Sequence, residues 1–558
     1  MAIANVWGQG QLFAFSALDG KSEFSDDFVG ILSGDRIGIR FFKDVKRELS
    51  IVGYDTNDLT FDAVLSNLIL ANVNSGKIGI AYADTHLVIG KVPSDATAVV
   101  MVEGLYKTEI IDGVEIQDTS DGQFTAILRE GEKFAFAYAK DKAEVVVLCK
   151  KGITLCFDDV AQEKISFYKK YEKEGKFSKL YCKCLSVMKT QLYSPEYKFD
   201  TIWSTPDRLP HKALWLWDSV FHAIGHRNYD ANLAEDLIHA IFANQHENGM
   251  ISHMVKGDWK SKVTQPPVIA WGALKVYEKT GNKDFLREVY ERNGAFLDWC
   301  RDNRRESDEE LYAWFTDDDK NCRCGESGMD NSPRFDEANH LHAIDFSCFM
   351  ANDVRAMAKI AEILGEDGSC YLAWLEKIKE AVNRILWSDN FYYDYDCKKN
   401  KISYVKAVSS FLPLFSGVCD KERAEILVKN LTDPNAFYTE FAIPSIATDD
   451  KTFGTDMWRG PVWINYNYMI AEGLKAYGYN ELSEEIISKT LEVVNEWYEK
   501  TGTVYEFYDC ENKKCPNRLT RKGEVVEPYN FEIRLQSIRD YGWTATLTYD
   551  LISQRTDD

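Results

Sequence analysis

Near Asp158 the hydrophobic period of the chain changes, and one layer architecture cannot satisfy both sides of that change. From Phe28 to about Phe157 the apolar residues come in short runs rich in Val, Ile, Phe and Tyr. GILSGDRIGIRFF, GKIGIAYADTHLVIG, FTAILREGEKFAFAYA and AEVVVLCKKGITLCF are examples, broken by Gly, Asp, Asn and Lys turns. That pattern predicts an antiparallel β-sandwich over residues 1–158, with a structural or lid-forming role. Residues 159–200 read as a linker helix followed by a first packed helix. From 201 to 558 helical stripes alternate with loops. Met350, Val354, Met357, Ala361 and Leu364 form one stripe, ending at Gly365. Another opens at Asp230 with Leu233, Leu237 and Ile241, and a third runs from about Asn480 to Gly502. The count is roughly a dozen helices joined as hairpins. Their irregular spacing disfavours a strict repeat solenoid. Six hairpins can close into a ring, so the expected fold is a mostly α (α/α)6 toroid preceded by a β-sandwich.

The formal charge of −22 argues against a phosphate backbone or an anionic membrane as partner, and no compact basic run offsets it. No stretch has the apolar length to span a bilayer, and MAIANVWGQGQLFAF lacks the pattern of a signal peptide. Thirteen scattered cysteines fit a reduced compartment better than a disulfide framework, which points to the cytoplasm. Cys182/Cys184 and Cys322/Cys324 lack zinc-site spacing, and His211, His222, His253 and His340 show no HExxH arrangement. Neither a metal nor another cofactor is expected, and those histidines read as ordinary hydrogen-bonded ones.

Polar and aromatic residues that a helical core does not explain concentrate in the loops. They fall in PHKALWLWDSVFHAIG, TQPPVIAW, GESGMDNSPRFD, TDMWRGPVWINYNY, TVYEFYD and YGWTA. Sugars demand that mixture, an aromatic face for their C–H surface and fixed polar groups for their hydroxyls. Glu326 and Asp330 lie four apart in an irregular Gly/Pro-rich loop. Paired carboxylates raise the pKa of one, as a general acid near neutral pH requires, and Arg334 could hold a neighbouring carboxylate ionised. A surface loop with an Asx-turn accounts for the same spacing. Glu506, between Tyr505 and Phe507, reads either as a partly desolvated base or as the water-facing residue of a strand-like edge. Asp218 follows Trp217 near a helix start, where a carboxylate also suits the macrodipole. Pro461 fits a helical first turn, from which Arg459 and Asn465 would project.

Taken in order, WLWDSVFHAIG, TQPPVIAW, ESGMDNSPRFD, VKAVSSFLPLFSG, MWRGPVWIN, VYEFYD and GWTA resemble glycoside hydrolase family 63, a family of processing α-glucosidases and bacterial mannosylglycerate and glucosylglycerate hydrolases. The resemblance runs from Trp215 to Ala545. It implies an (α/α)6 catalytic barrel and an inverting mechanism, with Asp330 as general acid and Glu506 as general base. Inversion places two such carboxyl groups roughly 6.5–9.5 Å apart, with a water between. By the same resemblance Trp217, Asp218, Gln265, Trp458, Arg459 and Trp463 line the pocket for the terminal sugar, joined by Asn465 and Trp543, while Glu326 holds Asp330 or a hydroxyl. The β-rich part matches no family string. Between Glu506 and Trp543 a polar insertion, CENKKCPNRLTRKGEVVEPYNFEIRLQ, carries Arg and Lys residues that could receive an acidic aglycone.

The expected activity is exo-acting hydrolysis of a short α-glucoside, with an α-mannoside as the lesser choice; a small oligosaccharide or glycoside is the expected substrate partner, with neither nucleic acid nor membrane. Three alternatives stand beside it: an α,α-trehalase-like hydrolase, an (α/α)6 sugar epimerase or isomerase, and a non-catalytic carbohydrate-binding protein. Epimerases of that fold work through a histidine pair, whereas these clusters are built on carboxylates.

Overall fold

Alternating apolar residues in the first part of the chain assemble two antiparallel sheets. The computed structural model describes all residues but 1, 35, 43–45, 120–121, 320, 338–339, 524–535 and 556–558. One sheet runs in spatial order Leu12–Phe13, Val29–Leu32, Gly38–Phe42, Lys46–Val52, Thr97–Val102. The other has eight strands, from Tyr106–Ile111 through Val114–Thr119, Phe124–Glu130, Lys133–Ala139, Leu87–Lys91, Gly76–Asp84 and Leu68–Val73 to Thr60–Leu65. Inward-facing residues of both sheets share one core. Phe28 stacks on Phe41 at 4.4 Å and on Tyr138 at 4.9 Å.

The strand-like reading of AEVVVLCKKGITLCF is corrected. Lys142–Thr154 is helix α1, followed by α2 (Phe157–Lys170) and α3 (Ser178–Thr190). Asp141 decides the local outcome, its carboxylate accepting from the N–H groups of Ala143 at 2.8 Å and Glu144 at 3.0 Å. Val145, Val146, Cys149 and Ile153 then fall on one buried face while Val147 stays exposed, so packing outweighs the strand propensity of the valines. The described chain divides into two compact units, and α1–α3 belong to the first, Met1–Glu196 with Asn495–Val504 and Arg555–Asp558. The second is Tyr197–Val494 with Tyr505–Gln554.

Helices dominate the second unit: α4 (Leu216–His226), α5 (Ala231–Phe242), α6 (Ile269–Thr280), α7 (Lys283–Arg304), α8 (Ile344–Leu364), α9 (Ser369–Ala381), α10 (Leu412–Ser416), α11 (Lys421–Leu431), α12 (Ile464–Ala476), α13 (Asn480–Thr501) as far as Val494, and α14 (Gly542–Ser553). Asp230 caps α5 through the Leu233 N–H, and α8 stops at Gly365, both as the stripes predict. The even-numbered members pack in a cycle: α4 on α6, α6 on α8, α8 on α10, α10 on α12, α12 on α14, and α14 back on α4. Of the odd-numbered ones, α5 packs on α4 and α6, α7 on α6 and α8, and α9 on α8. Every residue of α4, and all but the last of α14, is buried, as expected of helices surrounded by helices. Gly225 of α4 lets α14 approach so closely that a Cβ there would lie 2.6 Å from the Cβ of Thr546. Among the described residues no helix is long and apolar enough to cross a membrane.

Pro461 is not in a first turn. Helix α12 begins at Ile464, and Val462 instead exchanges backbone hydrogen bonds of 2.8 and 3.1 Å with Tyr508. That extended pairing draws the segment carrying Glu506 towards the entry of α12.

Candidate active site

The polar and aromatic loop clusters meet because each leads into, or pairs beside, one of the even-numbered helices that pack on one another. They surround a cavity of about 370 Å³, within the size range of small-ligand sites. Trp217 and Asp218 enter from the first turn of α4, Gln265 from the segment before α6, and Asp330 from the loop before α8. Trp463 stands at the N-cap of α12, Glu506 follows α13, and Trp543 opens α14. Asp330 and Glu506, remote in sequence, thus line the same hollow.

The Asp330 loop is fixed from behind. Glu326 is buried, but its carboxylate faces away from any partnership with Asp330. It accepts from Arg304 at 2.7 and 2.9 Å and from the N–H groups of Thr264 at 2.9 Å and Phe315 at 2.7 Å. Gly328 has φ +72°, and a Cβ there would lie 2.2 Å from the Trp217 ring, so the turn and the ring fit only with glycine. Asn331 ties the loop to the α12 approach through Asp456 at 2.8 Å and the Trp458 N–H at 3.1 Å.

Glu506 lies in a strand-like bridge, its N–H donating to the Ile538 carbonyl at 2.9 Å, yet it is 1% exposed and faces the cavity rather than water. Arg521 grips it in a fork, Nε to Oε2 at 2.8 Å and Nη2 to Oε1 at 3.2 Å. The same Nη2 lies 3.0 Å from His211 Nε2, and His211 Nδ1 lies 2.6 Å from Asp207 Oδ2. Arg521 can only donate, so Nε2 accepts and the His211 proton sits on Nδ1. Burial, opposed by Asp207 and assisted by Arg521, pulls the His211 pKa down and keeps the ring neutral.

Two carboxyl groups in the cavity are driven in opposite directions. Burial, with the charges of Glu506, Asp207 and Asp330 adding to it, raises the Asp218 carboxyl well above the ordinary range. Asp218 Oδ1 is buried without a hydrogen-bond partner, as is the Nε1 of Trp543. Burial also raises Asp330, but the Lys522 ammonium hydrogen-bonded to Oδ2, with Arg521 beyond, outweighs it and holds the carboxyl below the usual range. The expected pairing of Glu326 with Asp330, which would raise one of the two carboxyls, is therefore corrected: Glu326 is taken by Arg304, and Asp330 is held low by Lys522.

Five residues expected at the pocket do not line it. Besides Glu326, Arg334 is wholly buried between Asp345 and Asp394, with bonds of 2.6–2.9 Å. Trp458 lies behind Trp463, stacked at 3.7 Å. Arg459 pairs with Asp336, and Asn465 is buried in the first turn of α12. Conversely, His211 and His253, read as ordinary histidines, reach the cavity, as do Trp215, Cys322, Met457 and Tyr541. From the polar insertion Arg521 and Lys522 line it, while residues 524–535 lie outside the described ones. Tyr541 was legible as part of YGWTA. Met457 was likewise part of TDMWRGPVWINYNY, whereas nothing local marks Cys322 as a wall of the cavity. Among the described residues no three His, Cys, Asp or Glu side chains converge as a metal site requires.

The model of the mannosylglycerate hydrolase MGH1-like glycoside hydrolase domain matches residues 210–544, more than half of the chain and all of the cavity's lining. The chain belongs to that family. This MGH1-like member of glycoside hydrolase family 63 is a glycosidase. It is 24% identical to a mannosylglycerate hydrolase of Rubrobacter radiotolerans, over 54% of this chain and 86% of the relative. Its fold is that of the family 63 mannosylglycerate hydrolase of Thermus thermophilus solved with glucose, with a TM-score of 0.55, 23% identity, and coverage of 66% and 99% of the two chains. A bacterial glucoamylase solved with acarbose shares the fold over 99% of this chain and 96% of its own, with a TM-score of 0.59 at 11% identity.

Proposed function

We propose that this glycosidase removes a terminal α-linked sugar, α-glucose first, from a short glycoside by inverting hydrolysis on an (α/α)6 toroid. The observation that carries the reading is that Asp330 and Glu506 line one sugar-sized cavity walled by Trp217, Trp463 and Trp543. The cyclic packing of α4, α6, α8, α10, α12 and α14 supports the toroid. Asp330 gives its proton to the glycosidic oxygen as the bond to the anomeric carbon breaks. Glu506 takes a proton from water, whose oxygen attacks that carbon from the opposite face and leaves a β-configured product. Asp218, its carboxyl pushed up by burial and with an oxygen to spare, and the unpartnered Trp543 N–H receive sugar hydroxyls together with Gln265. Arg521 keeps Glu506 aimed, itself held by neutral His211. The family membership favours hydrolysis over epimerisation, and His211 is already committed to Asp207 and Arg521. Thirteen cysteines without a disulfide support a reducing compartment, the cytoplasm. An α-mannoside is the second reading, favoured by the name of the Rubrobacter relative.

The test is hydrolysis of a panel of α-glucosides and α-mannosides, with the first-formed anomer followed by NMR. Asp330→Asn and Glu506→Gln should each lower kcat by about 10²–10⁴-fold without unfolding the chain. Full activity in both variants would defeat the assignment. An initially α product would defeat inversion alone.

A further inference from the structure

The eight-stranded sheet ends on an uncovered strand. Tyr106–Ile111 pairs on one side with Val114–Thr119 and, among the described residues, with no strand on the other. Its apolar side chains and the one before it are left in water: Leu105 is 97% exposed, Ile110 71% and Tyr106 44%. A bare edge of this kind is a template for a further strand.

The hairpin fixes which main-chain groups face outward. Asp112 and Gly113 form its two-residue turn, with φ 51° and 84°, so the flanking residues Ile111 and Val114 exchange hydrogen bonds across the hairpin. Alternation turns Glu109 and Lys107 inward as well, and the N–H and C=O groups of Tyr106, Thr108 and Ile110 face out. Side chains alternate too. Lys107 and Glu109 share the face that carries α1, where Glu109 meets Lys142 at 2.7 Å. Tyr106, Thr108 and Ile110 share the other.

Charge decides what can pair there. A second copy of the same strand, antiparallel and with Thr108 opposite Thr108, sets Lys107 against Glu109 and Glu109 against Lys107 across the junction. On the other face Tyr106 then meets Ile110. Sliding the pair by two residues, the smallest step that keeps the outward groups in hydrogen-bonding positions, sets Lys107 against Lys107 or Glu109 against Glu109. Only the register centred on Thr108 suits the backbone, both charges and the exposed apolar side chains together.

We propose that the Tyr106–Ile111 edge is a self-association surface, on which two copies of this chain join antiparallel about Thr108 into one continuous sheet. The proposal is independent of the sugar chemistry and of the assignment of Asp330 and Glu506.

Sedimentation velocity of the full chain from about 1 to about 200 µM, a range suited to an interface of modest size, tests it. The wild type should pass from one chain to two as concentration rises. Thr108→Pro deletes an N–H that faces out of the hairpin, so the Tm at the lowest concentration should be unchanged while dimerisation weakens at least about 30-fold. Lys107→Glu and Glu109→Lys each set like charges opposite one another, and each should weaken self-association at least about tenfold. Mixed in equal amounts, these two variants should pair with each other at wild-type strength, because every opposed pair then has opposite signs. A wild-type chain that stays single throughout the range overturns the proposal. So does association that Thr108→Pro leaves unchanged, or a mixture that associates no better than its separate variants.

Discussion

Arg334 is held between Asp345 and Asp394, four hydrogen bonds leaving no cation for a ligand. Arg334→Met would abandon two buried carboxylates, so stability should fall by roughly 3–5 kcal/mol. Denaturant midpoints check this, and a variant that folded normally but bound sugar poorly would contradict the structural role. In sequence Arg334 and Glu326 look like site residues, because a buried ion holding a loop and an ion holding a substrate occupy the same kind of string. Only partners contributed from elsewhere in the chain, Arg304 for Glu326 and Asp394 for Arg334, separate the two cases. His222 gives a pH prediction. Burial pushes its pKa down to about 3. Below about pH 6.5 the unfolded histidine binds a proton that the folded one refuses, so stability declines by ~1.4 kcal/mol per pH unit as pH drops towards 3. His222→Asn should remove one proton's share of that slope between pH 6.5 and 4.5, measured from urea midpoints.

Between elements, the contact of α4 with α14 depends on a missing side chain. Gly225→Ala would set a methyl against both the side chain and backbone of Thr546, and about 1–3 kcal/mol of stability should be lost, read as a lowered Tm. The loop before α8 makes a comparable demand. Gly328→Ala should lower kcat/KM at least about tenfold, because the methyl displaces the Trp217 ring from the cavity wall. The apolar stripes announced α5 and α8 with their ends, since Asp230 and Gly365 act through neighbours only a few residues away. Helix α1 was missed, because its valines carry strand propensity and the deciding face becomes visible only where it meets the strands Phe124–Glu130 and Lys133–Ala139. The start of α12 was misplaced for a similar reason: Val462 is captured by Tyr508, a long-range pairing that no local rule foretells.

At the scale of the whole chain, the change of period separated a sheet-rich part from a helical one, and the order of clusters brought Asp330 and Glu506 forward as a pair. Thiol chemistry is predictable here. The denatured chain should titrate thirteen free thiols, and a reductant should leave Tm unchanged; a disulfide seen in the intact mass would contradict both. The packing of α14 on α4 was the least legible feature, since it joins positions separated by most of the helical unit. That meeting has a consequence for biosynthesis. Tyr541 and Trp543 complete the hollow and are translated after every other residue that lines it. A nascent polypeptide halted short of them, whether on a stalled ribosome or by a premature stop, therefore carries Asp330 and Glu506 without the last two aromatic walls of the hollow.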